Sequence, residues 1–388
     1  MDNVLSLNDT LHHCTGCGVC AVVCPNKCID LQLNTEGFFV PVVNEQRCTN
    51  CGTCVEVCYK VFDINNPYVG KELEDCKVYS AIHLDSAELK SVASGGVASE
   101  LSKYCYRHGY DVFGVVMNPE NNYCEHIIAS CEDDLERMKS SKYVEGYTLN
   151  AFSAIQPNRK TLLIGLPCQI YGIRKYIRRL GVEDNYILVD LFCRGVPTTN
   201  LYQKYRKYLQ SQFGLGRLTT CNFRSKRDGW HKFSITVCDE LGKEYSNTVY
   251  DDMFFSFYLK NTCFKESCYN CEFRRNRIFS DIRLGDFWGS KYYDHDEGVS
   301  LVSIYTQRGQ EAWNKISDAF ICEANDTSEL KKSQRFDKFP IPSYRRDLLA
   351  ALVSEEPLES IHKKFGIDRL GFYREEKKND NKINKKFS

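Results

Sequence analysis

Two cysteine runs near the amino terminus constrain this 388-residue chain more than any other feature. The first run reads Cys-x2-Cys-x2-Cys-x3-Cys followed by Pro25, and the second repeats that spacing with Tyr59 in place of the proline. Three thiolates at this spacing wrap one [4Fe–4S] cube, while the fourth cysteine of each run ligates the other cube. The runs therefore predict two clusters with crossed ligands. The first set is Cys14, Cys17, Cys20 and Cys58, and the second set is Cys48, Cys51, Cys54 and Cys24.

Zinc is the alternative metal for these runs. A tetrahedral zinc site needs only four ligands, and Cys-x2-Cys pairs also serve zinc ribbons. Two complete runs in tandem favour iron–sulfur clusters, and Gly18 and Gly52 would let the backbone pass close to an inorganic core. Cys28 lies outside the pattern and is predicted to be a small buried residue.

The composition limits which cellular compartment and which class of binding partner we expect. The chain has 21 cysteines, a formal net charge of zero and a hydrophobic content of 43%. We expect no nucleic-acid partner, because there is no excess of basic residues. We also expect no signal peptide, and no apolar run reaches the length of about 18 residues that a membrane span needs. These features predict a cytoplasmic protein whose reduced thiols bind metal.

Changes in pattern along the chain predict an α+β or α/β protein with four regions. Residues 1–65 would form a small ferredoxin-like βαββαβ domain with two clusters, and residues 66–90 a mixed connector. Residues 91–330 would form a larger mixed α/β domain that binds a flavin and iron–sulfur. Residues 331–388 would form a helical segment that ends in a disordered, basic tail.

Two strands in the larger region carry a cysteine just after their carboxyl ends. Thr161–Gly165 and residues 186–192 are short apolar runs, with a helical pattern over residues 169–180 between them. Strand, helix and strand in this order predict a parallel βαβ unit. Cys168 and Cys193 would then lie at the carboxyl rim of one sheet, where open α/β sheets bind ligands.

A third metal site follows from this placement. Cys268 and Cys271 would complete a set of four with Cys168 and Cys193, which is enough for a third [4Fe–4S] cluster. Cys263 is a fifth candidate that could displace one of the four. The alternative is that Cys168 and Cys193 are core residues at strand ends, since free cysteine is commonly buried.

A glycine pair and a lysine suggest an anion or flavin site. Ser94, Gly95 and Gly96 open a helix whose free amides could bind a phosphate, although such a pair is more often a turn. Lys142 could balance a phosphate or a reduced flavin, although a lone lysine is usually solvated. A nicotinamide site of the Rossmann type is not supported, because no G-x-G-x-x-G follows a strand.

Six segments in one order resemble the coenzyme F420 hydrogenase/dehydrogenase beta-subunit family, over about residues 10 to 330. They are SGGV from Ser94, SKY from Ser141, GLPCQ from Gly165, DLFCRGVP from Asp190, SCYNC from Ser267 and SDIRLGDFWG from Ser280. The chain differs from the family pattern at two positions that flank predicted cluster cysteines. Arg194 replaces a frequent histidine, and Leu166 replaces a frequent threonine.

The resemblance implies a flavin, usually FAD, beside an iron–sulfur cluster, but it does not imply F420 itself. We expect the flavin contacts at Ser94, Gly95, Gly96, Ser141 and Lys142, with Lys142 as the catalytic residue that stabilises the reduced flavin. Electrons from a redox partner protein or small donor would pass singly through the clusters to the flavin, which would exchange a hydride with an organic substrate. Many relatives resemble accessory reductases of surface-polysaccharide pathways.

Two other functions remain open from the sequence. The chain could be a non-catalytic electron-transfer subunit of a larger redox complex, which needs the clusters and no flavin. It could also be a zinc-stabilised interaction protein, which needs neither.

Overall fold

The computed structural model describes residues 3–6, 13–59, 70–118, 121–274, 277–334 and 336–367. These residues form three β-sheets of two, three and nine strands. The strands are β1 (Ile29–Leu33), β2 (Phe39–Val43), β3 (Lys77–His83), β4 (Asp111–Met117), β5 (Cys124–Ile128), β6 (Gly146–Tyr147), β7 (Thr161–Gly165), β8 (Tyr186–Leu191), β9 (Leu218–Ser225), β10 (Ser234–Asp239), β11 (Glu244–Thr248), β12 (Ile282–Asp286), β13 (Ser300–Ile304) and β14 (Phe320–Asn325).

The helices surround the nine-stranded sheet and extend to the carboxyl-terminal part of the described chain. They are α1 (Val19–Val22), α2 (Thr53–Glu56), α3 (Ser86–Ser91), α4 (Val97–Arg107), α5 (Glu132–Met138), α6 (Leu149–Ser153), α7 (Pro167–Arg179), α8 (Thr199–Phe213), α9 (Met253–Leu259), α10 (Glu266–Tyr269), α11 (Gln307–Asn314), α12 (Ser328–Ser333), α13 (Arg345–Val353) and α14 (Leu358–Lys364). Short 3-10 turns lie at Val4–Ser6, Glu183–Asn185, Glu272–Arg274, Ser290–Tyr292 and Ser317–Ala319.

The nine-stranded sheet has the order β14-β3-β13-β12-β8-β7-β4-β5-β6. Its four central strands, β12, β8, β7 and β4, run parallel. Such strands are buried on both faces, which explains why they are apolar runs rather than alternating ones. Leu162 packs with α4 and α11 on one face, and Leu163 packs with α7 on the other. The larger region is therefore a helix–sheet–helix sandwich, and the predicted α/β class is confirmed.

The predicted βαβ unit is present. Strands β7 and β8 pair in parallel, from Thr161 opposite Tyr186 to Gly165 opposite Asp190. Helix α7 connects them and packs Ile170, together with other apolar residues, on the sheet. Because both strands end at the same edge, the residues that follow them share the carboxyl rim.

A separate antiparallel sheet follows α8, over residues 218–248. Its order is β11-β10-β9, and both pairings are antiparallel. Phe223 and Ile235 of this sheet pack with Tyr202 and Leu209 of α8, and with Leu348 of α13, in one core. This core lies beside the nine-stranded sheet and includes the carboxyl-terminal helices.

The amino-terminal module is built around one hairpin. Strands β1 and β2 pair in an antiparallel register, with Ile29 opposite Val43. Helix α1 begins after Gly18 and α2 after Gly52, and both glycines have φ +78°. That left-handed conformation favours glycine, which agrees with the close backbone approach expected there. The first and last strands of the predicted βαββαβ order would fall near residues 7–12 and 60–69, which lie outside the described residues.

The predicted connector is not a simple link. Within residues 66–90, β3 lies in the large sheet between β13 and β14. Its side chains pack on both faces of the sheet: Tyr79 and Ala81 lie in the core that contains α4, and Val78 and Ile82 lie in the core on the other face. The connector thus supplies a structural strand to the larger region, which the mixed composition of this segment obscures.

The last described residues are helical, as predicted, while the tail predicted to be disordered lies outside the described residues beyond Ile367. None of the helices in the described ranges combines the length and the apolar character that a membrane span requires.

A buried ion pair joins two central strands and provides a test of the fold. Arg283 of β12 donates to both carboxylate oxygens of Asp190 in β8, at 2.7 and 2.6 Å, and both side chains are 1% exposed. We expect Asp190→Asn to lower the free energy of unfolding by about 3–5 kcal/mol, because it leaves a buried guanidinium without its counter-charge. Anaerobic urea unfolding followed by tryptophan fluorescence measures the loss.

The control for this prediction is Asp111→Asn. Asp111 pairs with Arg159, whose side chain is 52% exposed, so water screens the pair and the loss is expected to be much smaller. Equal losses for the two variants would contradict the prediction.

Candidate iron–sulfur sites

The four cysteines of the first set line one cavity, as the crossed assignment requires. Cys14 and Cys17 lie in the loop before α1, Cys20 lies in α1, and Cys58 follows α2. Burial raises the pKa of the Cys20 thiol well above its usual range, and the sulfurs of Cys17, Cys14 and Cys58 raise it further. Thiols that face each other in this way remain neutral unless a positive centre stabilises their thiolates. The cavity therefore fits a cubane.

The second set lines a second cavity. Cys24, Cys48, Cys51 and Cys54 lie around it, and Cys28 joins them. Cys24 and Cys54 are buried, whereas Cys51 is exposed. Hydrogen bonds with Thr53 lower the pKa of the Cys51 thiol. This cavity also has the donor set of a [4Fe–4S] cluster, with one ligand open to solvent.

Sites for a single metal ion are a separate question from cluster sites. Within the described ranges, no group of three or more His, Cys, Asp or Glu side chains is placed to hold one metal ion. In a cubane, by contrast, each cysteine ligand binds a different iron atom, so the sulfurs stand further apart.

The third set comes together from distant parts of the chain. Cys168 begins α7, Cys193 follows β8, Cys268 lies in α10 and Cys271 follows it. Burial raises the pKa of Cys168, and the sulfurs of Cys17, Cys271, Cys193 and Cys268 raise it further. Cys168 is thus an electrostatic neighbour both of its own set and of the first set.

Cys263 lies elsewhere, although the sequence made it a fifth candidate. It is fully buried in the aromatic core around α8 and α9. Burial raises its pKa to about 11, and the groups that modify this shift are Thr262, Thr198 and Arg345 rather than sulfurs. The structure therefore gives Cys263 no electrostatic neighbour among the sulfurs of the third set.

A buried ion pair connects the loop of the first set to the third set. Lys265 Nζ contacts Glu145 Oε1 and donates to the Phe39 carbonyl at 2.9 Å, while Glu145 Oε2 accepts the Phe39 amide at 3.1 Å. Burial alone would lower the pKa of Lys265, but Glu145 and the sulfurs of Cys14 and Cys268 outweigh it and raise that pKa. The ammonium therefore places a positive charge near both sets.

Arg274 adds a second cation near the third set. Its guanidinium donates to the carbonyls of Arg194 and Cys268 at 2.7 Å, and to that of Asp337 at 2.9 Å. It lowers the pKa of Cys193, although burial dominates and leaves that pKa at about 12. Sequence reasoning missed Lys265 and Arg274. The one sequence feature that could have pointed to them is that they flank the Cys268–Cys271 segment.

The predicted flavin residues at the start of α4 have structural partners. Ser94 Oγ donates to the Val299 carbonyl at 2.8 Å, and the Gly95 amide donates to Ser300 Oγ at 2.9 Å. Gly96 has φ +97° and caps α4. The Gly95 amide is therefore engaged by the sheet, and the predicted phosphate contact does not fit it.

Lys142 has a capping role that the sequence did not predict. Its ammonium donates to four carbonyls at the end of α5, those of Arg137, Met138, Lys139 and Ser140, at 2.6–3.2 Å. An ammonium has three hydrogens, so these contacts use all of them. Burial lowers the pKa of Lys142 to about 8. The predicted catalytic contact of Lys142 with a flavin does not fit this arrangement, and Ser141 beside it is partly exposed.

Comparisons with known proteins match two separate parts of the chain. Residues 158–329 match the family model for the carboxyl terminus of the beta subunit of coenzyme F420 hydrogenase/dehydrogenase, and residues 13–60 match the 4Fe-4S dicluster domain. These matches confirm the predicted resemblance and support iron–sulfur clusters in the amino-terminal module. No curated protein matches the chain.

One similar solved structure is a chain in the xenon-derivatised F420-reducing [NiFe] hydrogenase complex from Methanosarcina barkeri. It is 18% identical, and the alignment covers 78% of this chain and 94% of that chain with a TM-score of 0.45.

The close packing of the backbone around Gly95 can be tested with the variant Gly95→Ala, which adds one methyl group. A Cβ at Gly95 would lie 2.0 Å from the Ala81 carbonyl oxygen and 2.6 Å from the Ser300 nitrogen, both backbone atoms. We expect Gly95→Ala to destabilise the protein by about 1–3 kcal/mol through overpacking. The anaerobic melting temperature checks this. Gly146→Ala is the control, since the nearest atom to its new Cβ is 3.5 Å away, and an equal loss there would contradict the account.

Proposed function

We propose that this chain, in which a dicluster domain precedes a region of the F420 hydrogenase/dehydrogenase beta-subunit type, is an iron–sulfur electron-transfer protein with three cluster sites. The main evidence for this proposal is the position of Cys168. Its sulfur interacts electrostatically with Cys193, Cys268 and Cys271 of its own set and with Cys17 of the first set. Four thiols from three separate segments at one sheet rim support a metal centre better than they support an ordinary core.

The links between sets support an order for electron transfer. Cys54 of the second set is an electrostatic neighbour of Cys20 in the first set, and Cys17 of the first set neighbours Cys168. Cys51 of the second set is exposed, while Cys168 and Cys271 of the third set are part-buried and pack in the core that contains α7. We therefore propose that electrons from a redox partner arrive at the second set, pass the first, and reach the third.

The clusters, when bound, would accept and release single electrons. The chain's own residues hold and insulate the sites. Lys265 stabilises negative charge near the first and third sets, and Arg274 does so at the third. Tyr59 fills the space between the first and third sets, with its hydroxyl on the His13 carbonyl and its ring 5.5 Å from that of Phe273.

Burial raises the pKa of Tyr59, and the sulfurs of Cys14, Cys168, Cys271 and Cys58 contribute to that rise. A neutral phenol at this position excludes water from the gap between the two sets. Tyr59 is also the residue that replaces the proline of the first run, so this departure from the repeat has a structural reason.

A bound flavin that exchanges electrons with an organic substrate is the finer part of the proposal, together with a place in surface-polysaccharide biosynthesis. It rests on the family resemblance, because Gly95 and Lys142 do not fit the predicted contacts. Denaturing an anaerobic preparation tests it: released FAD supports an oxidoreductase with its own organic substrate. Full cluster content without flavin supports an electron-transfer subunit that serves another enzyme.

The three-site proposal predicts the iron content of the anaerobic protein. We expect about twelve irons per chain, and about eight in Cys168→Ala, because one cubane of four irons loses a ligand. Iron analysis and the electron paramagnetic resonance (EPR) spectrum of the reduced protein measure the change. Zinc in place of iron would overturn the whole proposal.

Cys263→Ala is the matched control, because it removes a buried thiol that has no sulfur of the third set as an electrostatic neighbour. It should retain all the iron of the unmodified chain. Eight irons in the unmodified protein, or an equal loss in both variants, would refute the third site while leaving the first two intact.

A further inference from the structure

We propose that Cys28 is a reserve ligand of the second cluster site and can replace Cys24 on the iron. The inference rests on the proposed iron–sulfur function of that site and adds a fifth thiol to it. The Cys24 and Cys28 sulfurs are 3.3 Å apart, and both line the cavity of the second set. Cys28 is 5% exposed and Cys24 is 8% exposed, so both thiols are shielded from solvent.

The backbone holds the two thiols together. Lys27 has φ +46°, and its amide donates to the Cys24 carbonyl at 3.1 Å, which closes a tight turn between the cysteines. The Cys28 amide donates to the Cys24 sulfur at 3.4 Å, and the Cys28 carbonyl accepts the Asn44 amide at 2.8 Å. Cys28 is thus fixed at the start of the β1–β2 hairpin, beside the ligand.

This placement distinguishes Cys28 from a cysteine that only fills the core. Cys105, for example, is fully buried in the apolar core between α4 and the large sheet. Cys28 instead contacts the sulfur of a proposed ligand inside the cavity that would hold the cluster. The sequence expectation of a small buried residue is right about its burial but omits this contact.

The exchange is a ligand substitution without any redox change. With a cluster bound, the bond between one iron and the Cys24 sulfur would break, and a bond between the same iron and the Cys28 sulfur would form. The proton of the Cys28 thiol would move to the Cys24 sulfur, so atoms and charge balance. The short distance between the sulfurs lets this occur with a small movement of the turn.

The second cysteine run offers a matched comparison within the same chain. Cys58 is the counterpart of Cys24, as the fourth cysteine of its run. Four residues after Cys58 the sequence has Phe62, where the first run has Cys28. The reserve thiol is therefore present for the second site and lacks a counterpart in the sequence for the first.

The test compares Cys24→Ala, Cys58→Ala and the double variant Cys24→Ala/Cys28→Ala in the full anaerobic protein. We expect Cys24→Ala to keep the unmodified iron content and a complete EPR signal of the reduced clusters. Cys58→Ala and the double variant should each lose about four irons, which is one cubane. An equal loss in Cys24→Ala and the double variant, or full retention in Cys58→Ala, would overturn the proposal.

A second measurement avoids variants that lack a ligand. Cys28→Ala keeps all twelve proposed ligands, so its iron content should equal that of the unmodified protein. Under an iron chelator it should lose the second cluster several-fold faster, because no reserve thiol recaptures the iron; equal rates would contradict the proposal. Failure of the unmodified protein to bind iron would instead refute the proposed function itself.

Discussion

The parallel pairing of β7 with β8 is the constraint on which the interior site depends. Because Gly165 lies opposite Asp190, both strands end at one rim, and the chain after each strand turns there with a cysteine. Strand β12 continues the parallel order on the other side of β8. The buried pair of Arg283 and Asp190 fixes those two strands together. A shift of one residue in this pairing would separate the sulfurs.

Rules that act over short distances in sequence predicted much of the molecule. Cysteine spacing was sufficient to group the sulfurs of both amino-terminal cavities, and the handedness of a βαβ unit was sufficient to place Cys168 beside Cys193. Contacts between distant segments could not be predicted. The Gly95 amide is bound by Ser300, about two hundred residues away, and β3 is a strand because β13 and β14 flank it.

The same limit explains why the contacts of Lys142 and Cys28 were missed. Nothing in the sequence around Lys142 says that the end of α5 points four carbonyls at its ammonium. The spacing of Cys28 in the sequence does not show that Lys27 adopts a left-handed backbone conformation. That conformation turns the Cys28 sulfur toward Cys24. In both cases a backbone conformation, rather than a residue type, determines what the side chain touches.

The contact of Phe39 with Lys265 and Glu145 has a consequence for the architecture as a whole. The hairpin of the amino-terminal module supplies both the donor and the acceptor that satisfy this enclosed pair of charges. Removing the amino-terminal module would leave Lys265 and Glu145 without the Phe39 hydrogen bonds and exposed to water. The module is therefore a structural part of the larger domain and is not an independent unit.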